Sequence, residues 1–234
     1  MGKRVLVVAA HPDDEVLGVA GTIAWHRRQN DAVVVLILGE GLSARFPIRQ
    51  EALMRARSGF ARLRREMALA HKRLGVTQTF HQEFPDNRFD SVDLLDLVKA
   101  IEAVKQRVKP SVVYTHHGGD LNVDHRLTFE AVLTACRPLP GETVERLLSF
   151  EVLSSTEWAV PQSRCTFLPN VFVDISPFLN QKLKAMACYR SELRRLPHPR
   201  SLGAIHHQAR LWGAKVGLPA AEAFMLIRER IDRE

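Results

Sequence analysis

The sequence predicts an α/β fold, one mostly parallel sheet covered by helices on both faces. Two observations carry this expectation. Short apolar runs rich in β-branched residues recur along the chain, and stretches with helical spacing separate them. Strands that are almost continuously apolar are buried on both faces, as strands of a parallel sheet are. The 234 residues, 46% hydrophobic and 25% charged, have an ordinary globular composition and bound the answer to a single domain over residues 1–234.

The first strand is predicted over Arg4–Ala10, where Val5 to Ala10 are all apolar. It ends in His11-Pro12-Asp13-Asp14-Glu15. Pro12 removes a backbone donor at the strand exit, and Asp13 or Asp14 can cap the helix predicted over Glu15–Gln29. Ala32–Leu38 is the second strand. Ile48–Leu74 reads as one long helix, because Leu53, Phe60, Leu63, Met67, Ala70 and Leu74 share a face and leave the arginines of Arg55–Arg73 on the solvated side. Thr77–Phe84 and Ser111–His116 are the next strands, with a helix over Ser91–Lys109 between them. The glycines of GGDLNVDH make a tight loop, and Asn122 or Asp124 caps a helix over Asp124–Arg137. Strands Leu147–Val152 and Val171–Ile175 follow, then a helix over Pro177–Tyr189 and a last helix from about Ala220. The proline-rich stretch after Pro138 is expected to add edge strands and loops around the site.

Charge and cysteine usage narrow the function classes. The formal net charge is +7, much of it on the arginine-rich helix. No helix-turn-helix, RNP or zinc-knuckle pattern accompanies it, so the charge reads as a solvated face or an attraction for anionic substrates; no nucleic-acid partner is expected. Cys136, Cys165 and Cys188 form no CxxC pair and read as reduced thiols. The apolar run after MGKR is too short for a signal peptide, and no stretch has the length of a membrane span. A cytoplasmic protein without membrane insertion is expected; the oligomeric state stays open, homo-oligomers included.

The chemistry concentrates at two strand ends. In open α/β sheets ligands sit beyond the carboxyl ends of the strands where strand order reverses. HPDDE follows the first strand and THHGGDLNVDH the fourth. A helix N-terminus accounts for one carboxylate there, not for three beside a histidine, where desolvation and mutual repulsion oppose ionisation. A divalent cation reverses that balance. His11 and Asp14 are spaced to converge on one ion, and His125, in the first turn of its helix, faces the same rim. Two histidines and one carboxylate leave coordination positions open, as catalytic zinc requires. Asp13 is then placed to act as general base. His116 and His117 read as loop histidines, either of which could line the pocket.

These residues resemble the PIG-L/LmbE-type zinc-dependent N-deacetylase family. The resemblance rests on His11 to Glu15 with Gly18 and Gly21, and on Asp124-His125 opening a helix. LGV at Leu74–Val76, FPDNRF at Phe84–Phe89 and AEAF at Ala221–Phe224 extend it over nearly the whole chain. It implies a Rossmann-like α/β fold, zinc held by His11, Asp14 and His125, and Asp13 as general base. Fe2+, Co2+ or Mn2+ could replace Zn2+ in such a donor set. The implied reaction removes an acetyl group from an N-acetylated aminosugar or sugar conjugate, a small molecule that could be anionic. Many family members carry H-x-x-H in the second motif, and here Asn122 stands at the first of those positions. An Asn amide can donate to an oxyanion but delivers no proton at neutral pH. The acid is then Asp13 returning its proton, or His116, His117, His206 or His207. Asp86 and Arg88 are candidate substrate contacts. Glu222 is a candidate substrate contact or a structural hydrogen-bonding residue near the site. Trp158 could stack on a sugar, although a buried packing role is expected.

Two rival readings remain. The 2-His-1-carboxylate set also describes non-haem iron oxygenases, which usually sit in all-β folds. A basic polyanion-binding protein with a structural HPDD cluster would hold no stoichiometric metal.

Overall fold

The computed structural model describes residues 2–161 and 166–231. The elements follow in the order β1 (Arg4–Ala9), α1 (Asp14–Arg28), β2 (Ala32–Gly39), α2 (Arg49–Arg55), α3 (Arg57–Leu74), β3 (Gln78–Phe84), α4 (Leu94–Val108), β4 (Val112–His116), α5 (Val123–Ala135), β5 (Arg146–Phe150), β6 (Val171–Asp174), α6 (Leu179–Met186), α7 (Leu202–Lys215) and β7 (Ala221–Glu229).

The described strands form one sheet in the order β3-β2-β1-β4-β5-β7-β6. β1 pairs in parallel with β2 on one side and β4 on the other, so the strand order reverses between β1 and β4. That is where both acidic–histidine segments leave the sheet. β7 alone runs antiparallel, inserted between β5 and β6. Period-two alternation builds two cores from the same strands. Val5, Val7, Val33, Val35 and Ile37 pack with α1, α3 and α6, whereas Leu6, Val8, Val34, Leu36 and Leu38 pack with α4 and α5. Each such fully buried aliphatic side chain contributes about 1.5–3 kcal/mol relative to exposure.

Three elements depart from the sequence expectations. The helix expected over Ile48–Leu74 breaks at Ala56, where φ is −108° and ψ 20°. Beyond the break, Phe60, Leu63, Met67, Ala70 and Leu74 are buried as expected, but Leu53 is 42% exposed. A separate small core of Leu42, Ala52, Ala56 and Phe60 turns α2 onto its own axis. The last segment, expected as a helix from about Ala220, is strand β7. Its alanines, glutamates and methionine favour a helix in isolation, but pairing on both edges overrides that preference. Helix α7 was not expected. Ser201 caps it by accepting the Ala204 N–H at 3.1 Å, and Ile205, Ala209 and Gly213 form its buried stripe.

Among the described residues no helix is long and apolar enough to cross a membrane. Cys136 is buried and Cys188 half-buried, both as free thiols. Cys165 lies outside the described residues.

Candidate active site

At the β1 exit the chain turns sharply. Asp13 caps α1 from a left-handed backbone (φ 107°, ψ −26°), and Asp14 and Glu15 enter the first helical turn. Asp14 Oδ2 accepts the His11 N–H at 2.8 Å, which closes the turn. Gly39 of the neighbouring β2 makes room for it: a Cβ there would lie 2.9 Å from Ala10 O and 3.3 Å from the His11 ring. At the β4 exit Asn122 caps α5, its Oδ1 accepting the Asp124 N–H at 2.9 Å. That cap fixes the amide orientation, so Asn122 Nδ2 is turned from the capped N–H and donates to Asn87 Oδ1 at 2.8 Å.

These two turns bring His11, Asp14 and His125 together as a group of potential ligand atoms. Asp14 Oδ2 lies 3.3 Å from His11 Nδ1 and 3.3 Å from His125 Nε2. The far nitrogens of both rings meet carboxylates: His11 Nε2 is 2.9 Å from Asp124 Oδ2, and His125 Nδ1 is 3.2 Å from Asp120 Oδ1. Asp124 is hydrogen-bonded to His11 Nε2, which turns Nδ1 of that ring toward Asp14, and Asp120 stands behind His125 in the same way, carboxylates placed as they are behind metal-ligating histidines. Asp120 is itself held by the Ser155 and Thr156 hydroxyls. His11, Asp86 and Asp124 make a second group on the other side of the His11 ring, with Asp86 Oδ1 3.3 Å from His11 Nε2.

The electrostatics agree with this geometry. Burial opposes charge on Asp14, but His125 and His11 outweigh it and hold the carboxyl well below its usual range. Burial likewise opposes charge on His125, yet Asp14 and Asp120 lift it to about 9. His11 is raised well above 6.5, its hydrogen bonds to Asp124 and Asp14 overcoming burial. His116 is pushed well below 6.5 by burial and by His125. Asp13 is raised well above its usual range by burial and by the adjacent Asp14, with Arg200 opposing. Asp14 is thus balanced by protons on two imidazoles, a role that a divalent cation held among the same atoms would take over.

A cavity of about 180 Å³ opens over this group, lined by His11, Asp13, Asp14, Asp86, Asn122 and His125. Arg45, Glu192 and Arg200 line it as well; the last two come from the proline-rich stretch expected to supply loops around the site, although the sequence singled out none of the three. Arg45 Nη2 donates to both Glu192 oxygens at 2.6 Å. Nothing in the local sequence marks these residues, because the loops that carry them meet only in the folded chain. Asp120 and Asp124 were also missed as partners of the histidines; the hint was their density around His125.

Other sequence candidates lie elsewhere. His116, His117, His206 and His207 are not among the lining residues. His116 is fully buried, stacks on His125 at 3.9 Å and accepts the Ala10 N–H through Nε2 at 2.8 Å. Arg88 faces a neighbouring cavity that shares Asp86 and Asn87 with the site, and its Nη2 is 3.4 Å from Pro47 O. Glu222 sits apart beneath α1, accepting from Gly21 N, Thr22 N and Lys182 Nζ. Trp158, expected to be buried, is 53% exposed with its ring edge toward His198.

Comparison with known proteins gives this geometry relatives. The chain is 27% identical over 195 residues to the uncharacterized deacetylase YaiS of Escherichia coli K12, covering 81% of this chain and 91% of that protein. It is 31% identical over 195 residues to 4-oxalmesaconate hydratase of Pseudomonas putida, covering 80% and 72%. The solved structure of the conserved protein TT1542 from Thermus thermophilus superimposes with a TM-score of 0.76 at 26% identity, covering 99% of this chain and 97% of that one. The sequence profile described as PIG-L, GlcNAc-PI de-N-acetylase, matches residues 6–136, the stretch that carries His11, Asp13, Asp14, Asn122 and His125. The chain belongs to the PIG-L family.

Proposed function

We propose that this chain is a metal-dependent N-deacetylase of N-acetylated aminosugars or their conjugates. The observation that carries the reading is the pair of histidines converging on Asp14, each backed by a carboxylate, beside a buried acid, Asp13, outside the ligand set. His11, Asp14 and His125 would hold the ion, with zinc the first candidate and Fe2+, Co2+ or Mn2+ compatible with the same donors. When bound, the ion supplies Lewis acidity and lowers the pKa of water.

The chain's own residues do the rest. Asp13 accepts a proton from the attacking water as its oxygen bonds to the acetyl carbonyl carbon. Asn122 uses one Nδ2 hydrogen on Asn87 and has the other to offer the developing oxyanion. Asp13 then returns the proton to the nitrogen as the C–N bond breaks, giving acetate and a free amine. Burial, which raises the Asp13 carboxyl, suits it to hold that proton between the two steps. In this reading the acid is Asp13 and not His116, His117, His206 or His207, a choice supported by the absence of those four from the residues lining the cavity. Asp86 and Asn87 suit the hydroxyls of a sugar, and Arg45 and Arg200, which line the same cavity, suit the charge of an anionic conjugate.

The similarity to a hydratase favours a second reading, in which Asp13 moves the proton of a water added across a carbon–carbon double bond. The test is a paired assay on metal-reconstituted protein: acetate release from N-acetyl aminosugars, and hydration of unsaturated carboxylates. Acetate release with about one metal per chain supports the deacetylase; hydration without it transfers the site to the second reading. Asp13→Asn should keep its metal and lose turnover, whereas His11→Ala, Asp14→Ala and His125→Ala should lose both. Near wild-type turnover in Asp13→Asn would remove the base assignment.

A further inference from the structure

Glu15, the third acid of the HPDDE run, belongs to neither potential ligand group and does not line the cavity. It is fully buried, and both of its oxygens are committed. Oε2 accepts the backbone N–H of Asp13 at 3.1 Å. Oε1 accepts the Tyr189 hydroxyl at 2.6 Å and lies 3.1 Å from His71 Nε2. His71 is in turn fixed through Nδ1, 2.7 Å from Thr79 Oγ1.

The residue that receives this attention is strained. A left-handed backbone costs a non-glycine residue about 1–3 kcal/mol and persists only where the surroundings over-determine it. At Asp13 the conformation sets the direction in which the side chain leaves the main chain; a helical or extended backbone would send the carboxylate elsewhere. A helix cap alone would not need a buried carboxylate braced by a tyrosine and a histidine from other elements.

A second hold reaches the same residue. Arg200 Nη1 lies 3.4 Å from Asp13 Oδ2 and 3.4 Å from Glu192 Oε2. Tyr189, Glu192 and Arg200 all belong to the connection between α6 and α7, far along the chain from the stretch that matches the family profile.

We propose that the connection from Tyr189 to Arg200 positions Asp13 for proton transfer: Tyr189 fixes its main chain through Glu15, and Arg200 steadies its carboxylate. Glu15, Tyr189 and Arg200 are positioning residues in this scheme. The proposal rests on Asp13 acting as the base in the reaction described above.

The test compares wild type, Tyr189→Phe, Glu15→Gln, Glu15→Leu, Asp13→Asn and the Tyr189→Phe/Asp13→Asn double variant, all metal-reconstituted. Three quantities are read: metal content, hydrogen exchange at the Asp13 amide, and kcat and KM separately. Tyr189→Phe keeps the ring that fills the core and removes only the hydroxyl. Metal content and KM should stay at wild-type values, Asp13 amide exchange should accelerate, and kcat should fall about 10- to 100-fold, as for a misplaced catalytic group. Glu15→Gln, which retains one oxygen acceptor, should lose less than Glu15→Leu. In the Asp13→Asn background, Tyr189→Phe should cost nothing further, because the group it positions is gone.

Wild-type kcat and wild-type exchange in Tyr189→Phe would overturn the proposal, as would an equal loss of turnover with and without the Asp13 carboxylate. Should wild type release no acetate from any N-acetyl aminosugar, the deacetylase reading falls. The exchange rate at Asp13 then decides the clamp by itself, unchanged exchange in Tyr189→Phe overturning it. Should Glu15→Leu fail to fold, Tyr189→Phe and Glu15→Gln carry the test.

Discussion

Asp124 ties three parts of the chain to one histidine. It is fully buried, accepts the Asn87 N–H at 2.6 Å and the Phe89 N–H at 2.9 Å, and holds His11 Nε2 at 2.9 Å. Removing it would free the His11 ring to rotate and leave two backbone donors without their partner. Asp124→Ala should therefore weaken metal binding about 10- to 100-fold while leaving the ligand atoms in the sequence; competition against a chelator of known affinity measures it. An unchanged affinity would mean that the His11 tautomer is set elsewhere. The ligand candidates were legible in the sequence because His11 and Asp14 are local to one turn, and Asp124-His125 opens a helix. The role of Asp124 was not, since it depends on a partner 113 residues away. Arg200 is a still harder case, being 187 residues from Asp13.

At the level of elements, the seat of α1 on the sheet is set by close packing. A Cβ on Gly18 would meet the Phe150 ring at 2.3 to 2.9 Å. Gly18→Ala should push α1 from β5, costing about 1–3 kcal/mol, seen as a lower midpoint in urea unfolding. The same change in a Phe150→Ala background should cost less, because the obstructing ring is absent. Since α1 begins at the site, the variant should also loosen the turn at Asp13. The elements up to β5 were readable because buried parallel strands and amphipathic helices announce themselves by period. The break at Ala56, helix α7 and strand β7 were not. Each is decided by contacts across the chain: the small core around Leu42, the Ser201 cap, and pairing with β5 and β6.

At the scale of the whole molecule, one carboxylate gives stability a pH dependence of its own. Glu151, just past β5, is raised from 4.5 to about 7 by burial, with the Glu157 charge adding and the hydrogen bond from Trp212 opposing. Between those two values the folded chain binds more protons here than the unfolded chain does. The Glu151 contribution therefore favours folding at low pH and is lost as pH rises toward about 7. The difference in unfolding free energy between Glu151→Gln and wild type should grow in favour of the variant from pH 5 to roughly 7, then level. A difference that is flat across that range would place Glu151 in water in the folded state. The subtraction isolates this group from His125, whose raised value of about 9 acts at higher pH.

The antiparallel insertion of β7 has a consequence in time. β7 fills the place between β5 and β6, and β6 has its sheet pairing through β7 alone among the described strands. Synthesis makes β5 first and reaches β7 roughly seventy residues later, about 4–14 s at ordinary elongation rates. Throughout that interval the nascent sheet carries an open edge of unpaired backbone groups, a template for pairing with other chains. The strands that lead to His11 and His125 are thus made well before their sheet can close, and the growing chain keeps that adhesive edge until β7 arrives.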